Sequence, residues 1–213
     1  MSSLSQSQHW DDVYSRKAEN EVSWFEASPS RSLELIERAK IARSAPVVDV
    51  GGGLSRLADS LVGAGYADVT VLDISREAVR RLLARQRPEA PVHGVVGDVT
   101  AWQPVRRYAL WHDRAVLHFL TDEADRTAYR STLLAALAPQ GQVVIATFAP
   151  GGPERCSGLP VRRYGREDLQ AWLGDEFVLL ESFEFDHATP GGAVQRFHAG
   201  RFRASETRPV RVG

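Results

Sequence analysis

Apolar residues along the chain fall into short runs that alternate with longer amphipathic stretches, and the first such unit is the clearest. The run Pro46–Val50 stops at three glycines, Gly51 to Gly53, after which apolar residues recur at helical spacing, at positions 54, 57, 58, 61 and 62. This pattern predicts a strand, a glycine turn and a helix.

The same alternation recurs through the central part of the chain. Four further strands are predicted by β-branched or apolar runs, at Val69–Asp73, Val92–Val96, Tyr108–His112 and Gln142–Phe148. Helices fit the stretches between them, including one capped by Ser75 and a long one over Asp122–Leu137. Because strands that alternate with helices build parallel sheets covered on both faces, we predict an α/β, doubly wound fold.

The two ends of the chain differ from this central alternation. Two helices are predicted before the first strand, at His9–Lys17 and Pro29–Arg43. A short helix over Arg166–Leu173 is followed by two strand-like runs, Phe177–Phe185 and Val194–Phe202. We expect these runs to form a hairpin whose last strand pairs antiparallel with the sheet, giving a mostly parallel seven-stranded sheet with an antiparallel last strand.

A length of 213 residues is typical of one domain, and no linker or internal repeat divides the sequence. We therefore predict a single domain over 1–213. Its parts are an N-terminal helical cover (1–44), a βα core (45–148), a loop with the terminal hairpin (149–204) and a tail (205–213).

Composition narrows the classes of partner and site. The formal net charge is −1, so no overall field favours nucleic acid, and no apolar run is long enough to cross a bilayer. The single cysteine, Cys156, excludes an intramolecular disulfide and a multi-thiolate metal site, and no carboxylate cluster indicates another metal. With a polar start that lacks a signal peptide, we expect a cytoplasmic protein without a nucleic-acid, membrane or metal partner. The oligomeric state stays open.

The glycine turn after the first strand is the leading candidate for a ligand site. In an open doubly wound sheet, ligands bind at the carboxyl ends of the strands where the strand order reverses. Gly51 and Gly53 allow close approach of a ligand to the backbone, Asp49 precedes them, and Asp73 ends the next strand where a carboxylate accepts hydrogen bonds from ribose hydroxyls. These features predict an adenosine-type cofactor. Arg56 stands where a dinucleotide site places a third small residue, which disfavours NAD.

Three stretches resemble the motifs of class I S-adenosylmethionine-dependent methyltransferases, in order and on the expected elements. They are VVDVGGGLSRLADSL, VTVLDIS and VVGDVTAW. The resemblance implies a Rossmann-like methyltransferase fold and S-adenosylmethionine as the cofactor. It also implies that Asp49, Gly51 and Gly53 line the methionine end, that Asp73 with Ile74 holds the ribose, and that Asp98 with Val99 flanks the adenine.

The leading segment HWDDVYSRKAENEVSWFEASPSRSL resembles that of bacterial methyltransferases related to the methyltransferase-like group, in which it folds over the cofactor. By this resemblance Tyr14 and Trp24 help to cover the methionine moiety. Aromatic residues here could equally be core anchors for the two leading helices. The long, Gly-rich loop after residue 148 is a candidate substrate lid that carries Cys156.

Methyl transfer from a sulfonium needs mainly alignment and a dry pocket, so a catalytic base is optional. If the acceptor must lose a proton, His112 and Asp113 are the candidate bases, because they lie at the end of the fourth strand. The alternative is structural: Asp113 pairs with Arg114.

The methyl acceptor is not specified by the sequence. Near-neutral charge and a long closing loop favour a small molecule, whereas some relatives of the resembled group methylate lysine side chains in proteins. Two other functions remain open, a noncatalytic cofactor-binding protein and a nicotinamide-dependent oxidoreductase.

Overall fold

The computed structural model describes residues 3–205, and within that range the chain forms one large sheet with helices on both faces. The strands are, in chain order, β1 (Val47–Val50), β2 (Val69–Asp73), β3 (Val92–Val96), β4 (Tyr108–Arg114), β5 (Leu137–Phe148), β6 (Arg155–Cys156), β7 (Leu159–Pro160), β8 (Phe177–Ala188) and β9 (Val194–Ala204). The helices are α1 (Ser3–Arg16), α2 (Ser30–Arg38), α3 (Leu57–Gly63), α4 (Arg76–Arg85), α5 (Glu123–Ala136) and α6 (Arg166–Leu173).

The large sheet has seven strands in the order β3-β2-β1-β4-β5-β9-β8. Strands β1 to β5 are parallel, and β9 runs antiparallel between β5 and β8. The predicted fold class, a doubly wound and mostly parallel sheet with an antiparallel last strand, is therefore confirmed. The strand order reverses between β1 and β4, so the crevice expected for a ligand opens above these two strands.

Apolar side chains fill both faces of the sheet. On one face Trp111 and Tyr129 pack fully buried between β4 and α5. On the other face Ile36 of α2 and Leu57 of α3 pack against β1 and β5. Each such side chain stabilises the fold by roughly 1.5–3 kcal/mol relative to solvent exposure. This double burial explains why the strands read as nearly continuous apolar runs.

The boundaries of several elements differ from the sequence-based prediction. Helix α2 ends at Arg38 instead of Arg43, because Lys40 adopts a positive φ of 51° that stops the helix. Strand β4 continues to Arg114, and β5 begins at Leu137 across an irregular register with β4. Helix α3 begins at Leu57, three residues later than predicted, so loop backbone fills the place expected for its first turn.

The Gly/Pro-rich segment after β5, predicted as a long loop, contains secondary structure of its own. It contains the short β6–β7 hairpin, with Cys156 paired to Leu159. Of the predicted tail, 205–213, only Ser205 lies within the described residues. Among residues 3–205, no helix is both long and apolar enough to span a membrane.

Candidate active site

A cleft of about 800 Å³, part of it open to solvent, lies above the carboxyl ends of β1, β2 and β4. Most of the predicted cofactor residues line it: Tyr14, Trp24, Gly51, Asp73, Ile74, Asp98 and Val99. Gly53 lies beside it, and Asp49 instead lines a second cavity of about 530 Å³. The two cavities share Trp24, Gly51 and Arg114 as walls.

The glycine turn forms because two of its residues take backbone conformations that other side chains resist. Gly51 and Gly53 have φ values of 64° and 48°. A Cβ on Gly51 would lie 1.9 Å from Cγ2 of Val116, and one on Gly53 would lie 2.4 Å from the Tyr14 hydroxyl. The turn therefore needs glycine for its conformation and also for the close packing of its surroundings.

Asp73 ends β2 at the floor of the cleft. Its Oδ1 accepts a hydrogen bond of 2.8 Å from the backbone N–H of Ser75, and its side chain is almost fully buried. Burial raises the pKa of Asp73 to about 7, although the N–H groups of Ser75 and Gly53 act in the opposite direction. A buried carboxylate with spare acceptor capacity fits a partner that brings hydroxyl donors.

Asp98 and Val99 form the wall of the cleft that follows β3. Oδ1 of Asp98 accepts hydrogen bonds from both the backbone N–H and the hydroxyl of Thr100, at 2.9 and 2.7 Å. The second oxygen of this carboxylate carries no hydrogen bond to the protein among the described contacts. The wall thus offers one acceptor beside the apolar side chain of Val99.

The N-terminal segment covers the cleft with aromatic rings. The Trp10 ring packs edge-to-face against those of Trp24 and Phe119, with ring centroids 5.7 and 5.1 Å apart. Polar contacts fix α1 over the start of α4, where Asp11 accepts hydrogen bonds from the Ser75 hydroxyl and from the backbone N–H of Glu77, at 2.6 and 3.0 Å. Tyr14 and Trp24 therefore both pack together as an aromatic cluster and line the cleft.

His112 lies below the glycine turn in a buried chain of hydrogen bonds. Its Nδ1 is 2.7 Å from Oδ1 of Asp49, and its Nε2 is 2.9 Å from the hydroxyl of Ser32. All three side chains are buried and line the second cavity. Both ring nitrogens are thus engaged within the protein, away from the cofactor cleft.

Asp113 points to the opposite face of β4, because neighbouring residues of a strand alternate between faces. Its carboxylate accepts hydrogen bonds from the Tyr129 hydroxyl (2.6 Å) and from the N–H groups of Val116 (2.8 Å) and Leu117 (3.0 Å). Burial raises the pKa of Asp113 to about 6. Asp113 lines neither of the two cavities, and its contacts hold the turn after β4. The two predicted bases are therefore separated by the sheet, and the expected Asp113–Arg114 pair is absent from the described ion pairs.

Several residues at the cleft were not predicted from the sequence. Arg114 and Phe119 line its far end, and Trp10 lies in its roof. Cys156, which was expected on the candidate substrate lid, also lines the far end. Arg114 follows His112 by two positions, so strand alternation was the signal that places both on one face. Cys156 enters through the β6–β7 hairpin, and burial raises the pKa of its thiol.

A buried polar cluster surrounds Arg114. Its Nη1 donates a 2.9 Å hydrogen bond to the carbonyl oxygen of Trp24, and its Nη2 lies 3.4 Å from a carboxylate oxygen of Glu26. The same oxygen is 3.6 Å from Nδ1 of His187, whose Nε2 contacts the carbonyl oxygen of Ser23 at 2.8 Å. Burial opposes ionisation of Glu26, but His187 and Arg114 lower its pKa below the usual value. The cluster ties the segment before α2 to β4 and β8.

A doubly wound sheet with a glycine turn after β1, an acidic end to β2 and an aromatic cover defines a class I S-adenosylmethionine-dependent methyltransferase. The chain belongs to the methyltransferase domain family, whose model matches residues 24–183. The enzyme class is therefore methyltransferase rather than nicotinamide-dependent oxidoreductase. A comparison with curated protein sequences gives no match.

Solved structures share the fold at low sequence identity. A structure from work on the conversion of a disulfide bond into a thioacetal group during echinomycin biosynthesis is 19% identical, with a TM-score of 0.76 and 94% of each chain covered. A methyltransferase from Anabaena variabilis is 12% identical, with a TM-score of 0.75 and 95% of each chain covered. The 1,6-didemethyltoxoflavin-N1-methyltransferase of Burkholderia thailandensis is 22% identical, with a TM-score of 0.68; 95% of this chain and 85% of that one are covered.

The cofactor is S-adenosylmethionine. A glycopeptide N-methyltransferase of the same fold has been crystallised with S-adenosylmethionine and with S-adenosylhomocysteine. The residues of the cleft fit this molecule, since buried Asp73 has acceptor capacity for hydroxyl donors and the glycine turn leaves room beside the backbone.

Proposed function

We propose that the protein transfers the methyl group of S-adenosylmethionine to a small-molecule acceptor. The observation that carries this proposal is the roof over the cleft, in which Trp10 packs edge-to-face against both Trp24 and Phe119. The β6–β7 hairpin places Cys156 in the wall at the far end. A concave, mostly apolar compartment under such a cover is typical of sites that enclose a small molecule.

The adenosine end of the cofactor is assigned to the walls formed after β2 and β3. Asp73 accepts hydrogen bonds from the ribose hydroxyls, and Ile74 lies beside the ribose. Asp98 and Val99 flank the adenine. The burial of Asp73 and the free oxygen of Asp98 support these roles.

The methionine end is assigned to the glycine turn. Gly51 and Gly53 let the ligand approach the backbone, and Asp49 supports the turn from below. Tyr14 and Trp24 close the site from the N-terminal segment. The tight packing of the Tyr14 hydroxyl over Gly53 supports the placement of Tyr14 at this end of the site.

S-adenosylmethionine, when bound, supplies a methyl group already activated by the sulfonium, which we propose is displaced in line by the acceptor. The chain contributes by excluding water and by holding aromatic faces near the positive charge. Ring faces attract cations, and the effect strengthens where water is absent. Trp10, Trp24 and Phe119 are the rings placed for this task.

We further propose that His112 and Asp113 position the site instead of transferring protons. His112 joins Asp49 to Ser32, and Asp113 holds the turn after β4. An acceptor that reaches the site deprotonated, or loses its proton to water afterwards, needs no protein base.

The names of two structural neighbours support a small-molecule or modified-peptide acceptor. One acts at N1 of 1,6-didemethyltoxoflavin and was crystallised with that compound, and another is a glycopeptide N-methyltransferase. Both share the fold of this chain.

The test is an incubation of the protein with cell extract and methyl-deuterated S-adenosylmethionine, followed by mass spectrometry of separate metabolite and protein fractions. Deuterated methyl in a metabolite, and its loss with Asp73→Ala, supports the proposal. Label confined to lysine side chains of proteins would assign the rival function, protein lysine methylation. Cofactor binding without any labelled product would indicate a noncatalytic cofactor-binding protein.

A further inference from the structure

Arg114 is a buried cation at the boundary between the two cavities. It is the last residue of β4, its side chain is 13% exposed, and it lines both the cofactor cleft and the second cavity. Burial lowers the pKa of this guanidinium from its usual value. A buried charge is costly unless each of its polar atoms has a partner.

One edge of this guanidinium lacks such partners. Nη1 donates to the carbonyl oxygen of Trp24, whereas Nε and Nη2 have no hydrogen-bond acceptor among the described residues. The nearest carboxylate, that of Glu26, stands 3.4 Å from Nη2 and is shared with His187. Glu26 therefore balances the charge without satisfying the edge.

Elsewhere in this chain the same edge of arginine binds a carboxylate through two parallel hydrogen bonds. Nε and Nη2 of Arg196 donate to the two oxygens of Asp186 at 2.9 and 3.1 Å. Nε and Nη2 of Arg80 donate to Glu77 at 2.8 and 2.7 Å. This fork matches a planar anion with two oxygens, and a carboxylate is the usual partner.

We propose that Arg114 binds a carboxylate of the bound ligands through its Nε and Nη2 edge, at the junction of the two cavities. The carboxylate belongs either to the methionine tail of the cofactor or to the methyl acceptor. Both nitrogens are covered in this structure, so binding requires the segment that carries Trp24 and Glu26 to shift. The inference rests on the proposed function, because it assumes that both ligands occupy these cavities.

The first arm of the test measures dissociation constants by calorimetry for S-adenosylhomocysteine and for its decarboxylated analogue, 5′-(3-aminopropylthio)-5′-deoxyadenosine. Arg114→Lys keeps a cation beside Glu26 but removes the fork. If the cofactor supplies the carboxylate, Arg114→Lys weakens S-adenosylhomocysteine by about tenfold or more and leaves the analogue within about twofold.

The second arm uses protein saturated with S-adenosylhomocysteine and titrates benzoate, with benzamide as the neutral control. If the acceptor supplies the carboxylate, S-adenosylhomocysteine affinity is unchanged by Arg114→Lys, whereas benzoate affinity falls by about tenfold and benzamide affinity does not.

Two further variants separate binding from folding. Glu26→Gln with Arg114→Gln removes both buried charges together and repeats each arm without an unpaired ion. Arg196→Gln removes an exposed arginine whose Nε and Nη2 already bind Asp186, and it should change the affinity for neither S-adenosylhomocysteine nor benzoate. The proposal is overturned if Arg114→Lys and the double variant bind S-adenosylhomocysteine and benzoate as the wild type does. In that case, if the wild type and all variants still bind the decarboxylated analogue equally well, the role of Arg114 fails but the assignment of the cleft to the cofactor is retained.

Discussion

Replacing Asp73 with asparagine should stabilise the ligand-free protein above neutral pH while weakening cofactor binding. The side chain is 6% exposed, and burial raises the pKa of its carboxyl to about 7. In the unfolded chain the same group releases its proton near pH 4. Between these two values the folded state holds a proton that the unfolded state has lost, so this group's contribution to stability falls as pH rises.

The size of the effect follows from the two pKa values. Linkage gives a penalty on folding of about 1.5 kcal/mol at about pH 5, rising to about 4 kcal/mol at about pH 8. Asparagine carries no such penalty, but it weakens the hydrogen bonds from Ser75 and Gly53, at a cost of roughly 1–3 kcal/mol at any pH. The pH-dependent part is therefore the diagnostic quantity, and Asp73→Asn should gain about 2.5 kcal/mol on the wild type between about pH 5 and about pH 8.

Urea unfolding of both proteins without ligand at these two pH values measures this difference. Asp186→Asn is a suitable control, because Arg196 lowers the pKa of Asp186. This carboxyl is therefore ionised in both the folded and the unfolded state from about pH 5 to about pH 8, and the free-energy gap between wild type and Asp186→Asn should not change over that range. A free-energy gap between wild type and Asp73→Asn that stays constant with pH would refute the reasoning. It would mean that the buried carboxylate is already ionised and fully solvated by its hydrogen bonds.

Four further outcomes are expected. S-adenosylhomocysteine affinity should rise about tenfold between about pH 6 and about pH 8 as Asp73 ionises, and this dependence should vanish in Asp73→Asn. Gly51→Ala should abolish measurable cofactor binding in calorimetry, because its φ is positive and its Cβ would collide with Val116; Gly63→Ala, with nothing within 4 Å of its Cβ, is the control. His112→Asn should keep the contact to Asp49 and bind S-adenosylhomocysteine better than His112→Leu, whereas equal affinities would remove the His112 chain from the site. Hydrogen exchange across residues 10–28 should slow when S-adenosylhomocysteine binds, and equal rates would mark this segment as a fixed part of the core.

The parts of the fold set by local patterns were predictable from the sequence. Strands β2 and β3 have the predicted bounds, because β-branched runs end at turn residues on both sides. Helix α4 begins after Ser75, whose hydroxyl accepts the N–H of Ala78 as the predicted cap requires. Helix α3 was harder, since the positive φ of Gly51 and Gly53 delays its start although the apolar spacing continues from Leu54.

The polar clusters of the site could not be predicted in the same way. His112 contacts Ser32 across 80 positions, and His187 contacts Ser23 across 164. Such pairs depend on where α2 and β8 pack against the sheet, which no local periodicity specifies. The alternation of side chains along β4 does predict that Asp113 lies on the opposite face from His112 and Arg114. It is the one local pattern that predicts anything about the placement of these residues.

The cofactor cleft contains charged groups whose burial lowers the stability of the folded protein. Asp73 is a buried carboxylate whose pKa is raised, Arg114 is a buried guanidinium whose pKa is lowered, and each resists the ionised form that a ligand would recognise. Hydroxyl donors at Asp73 and a carboxylate at Arg114 would relieve both costs at once, so ligand binding and folding stability should be coupled more strongly than contact area alone suggests. The apolar faces of the sheet, built from fully buried residues such as Trp111 and Ile36, supply the stability against which these costs are held. Close packing of the sheet therefore stabilises the fold enough to keep unfavourable charges in the cleft. The ligand would supply the hydrogen-bond partners that these charged groups lack in the free protein.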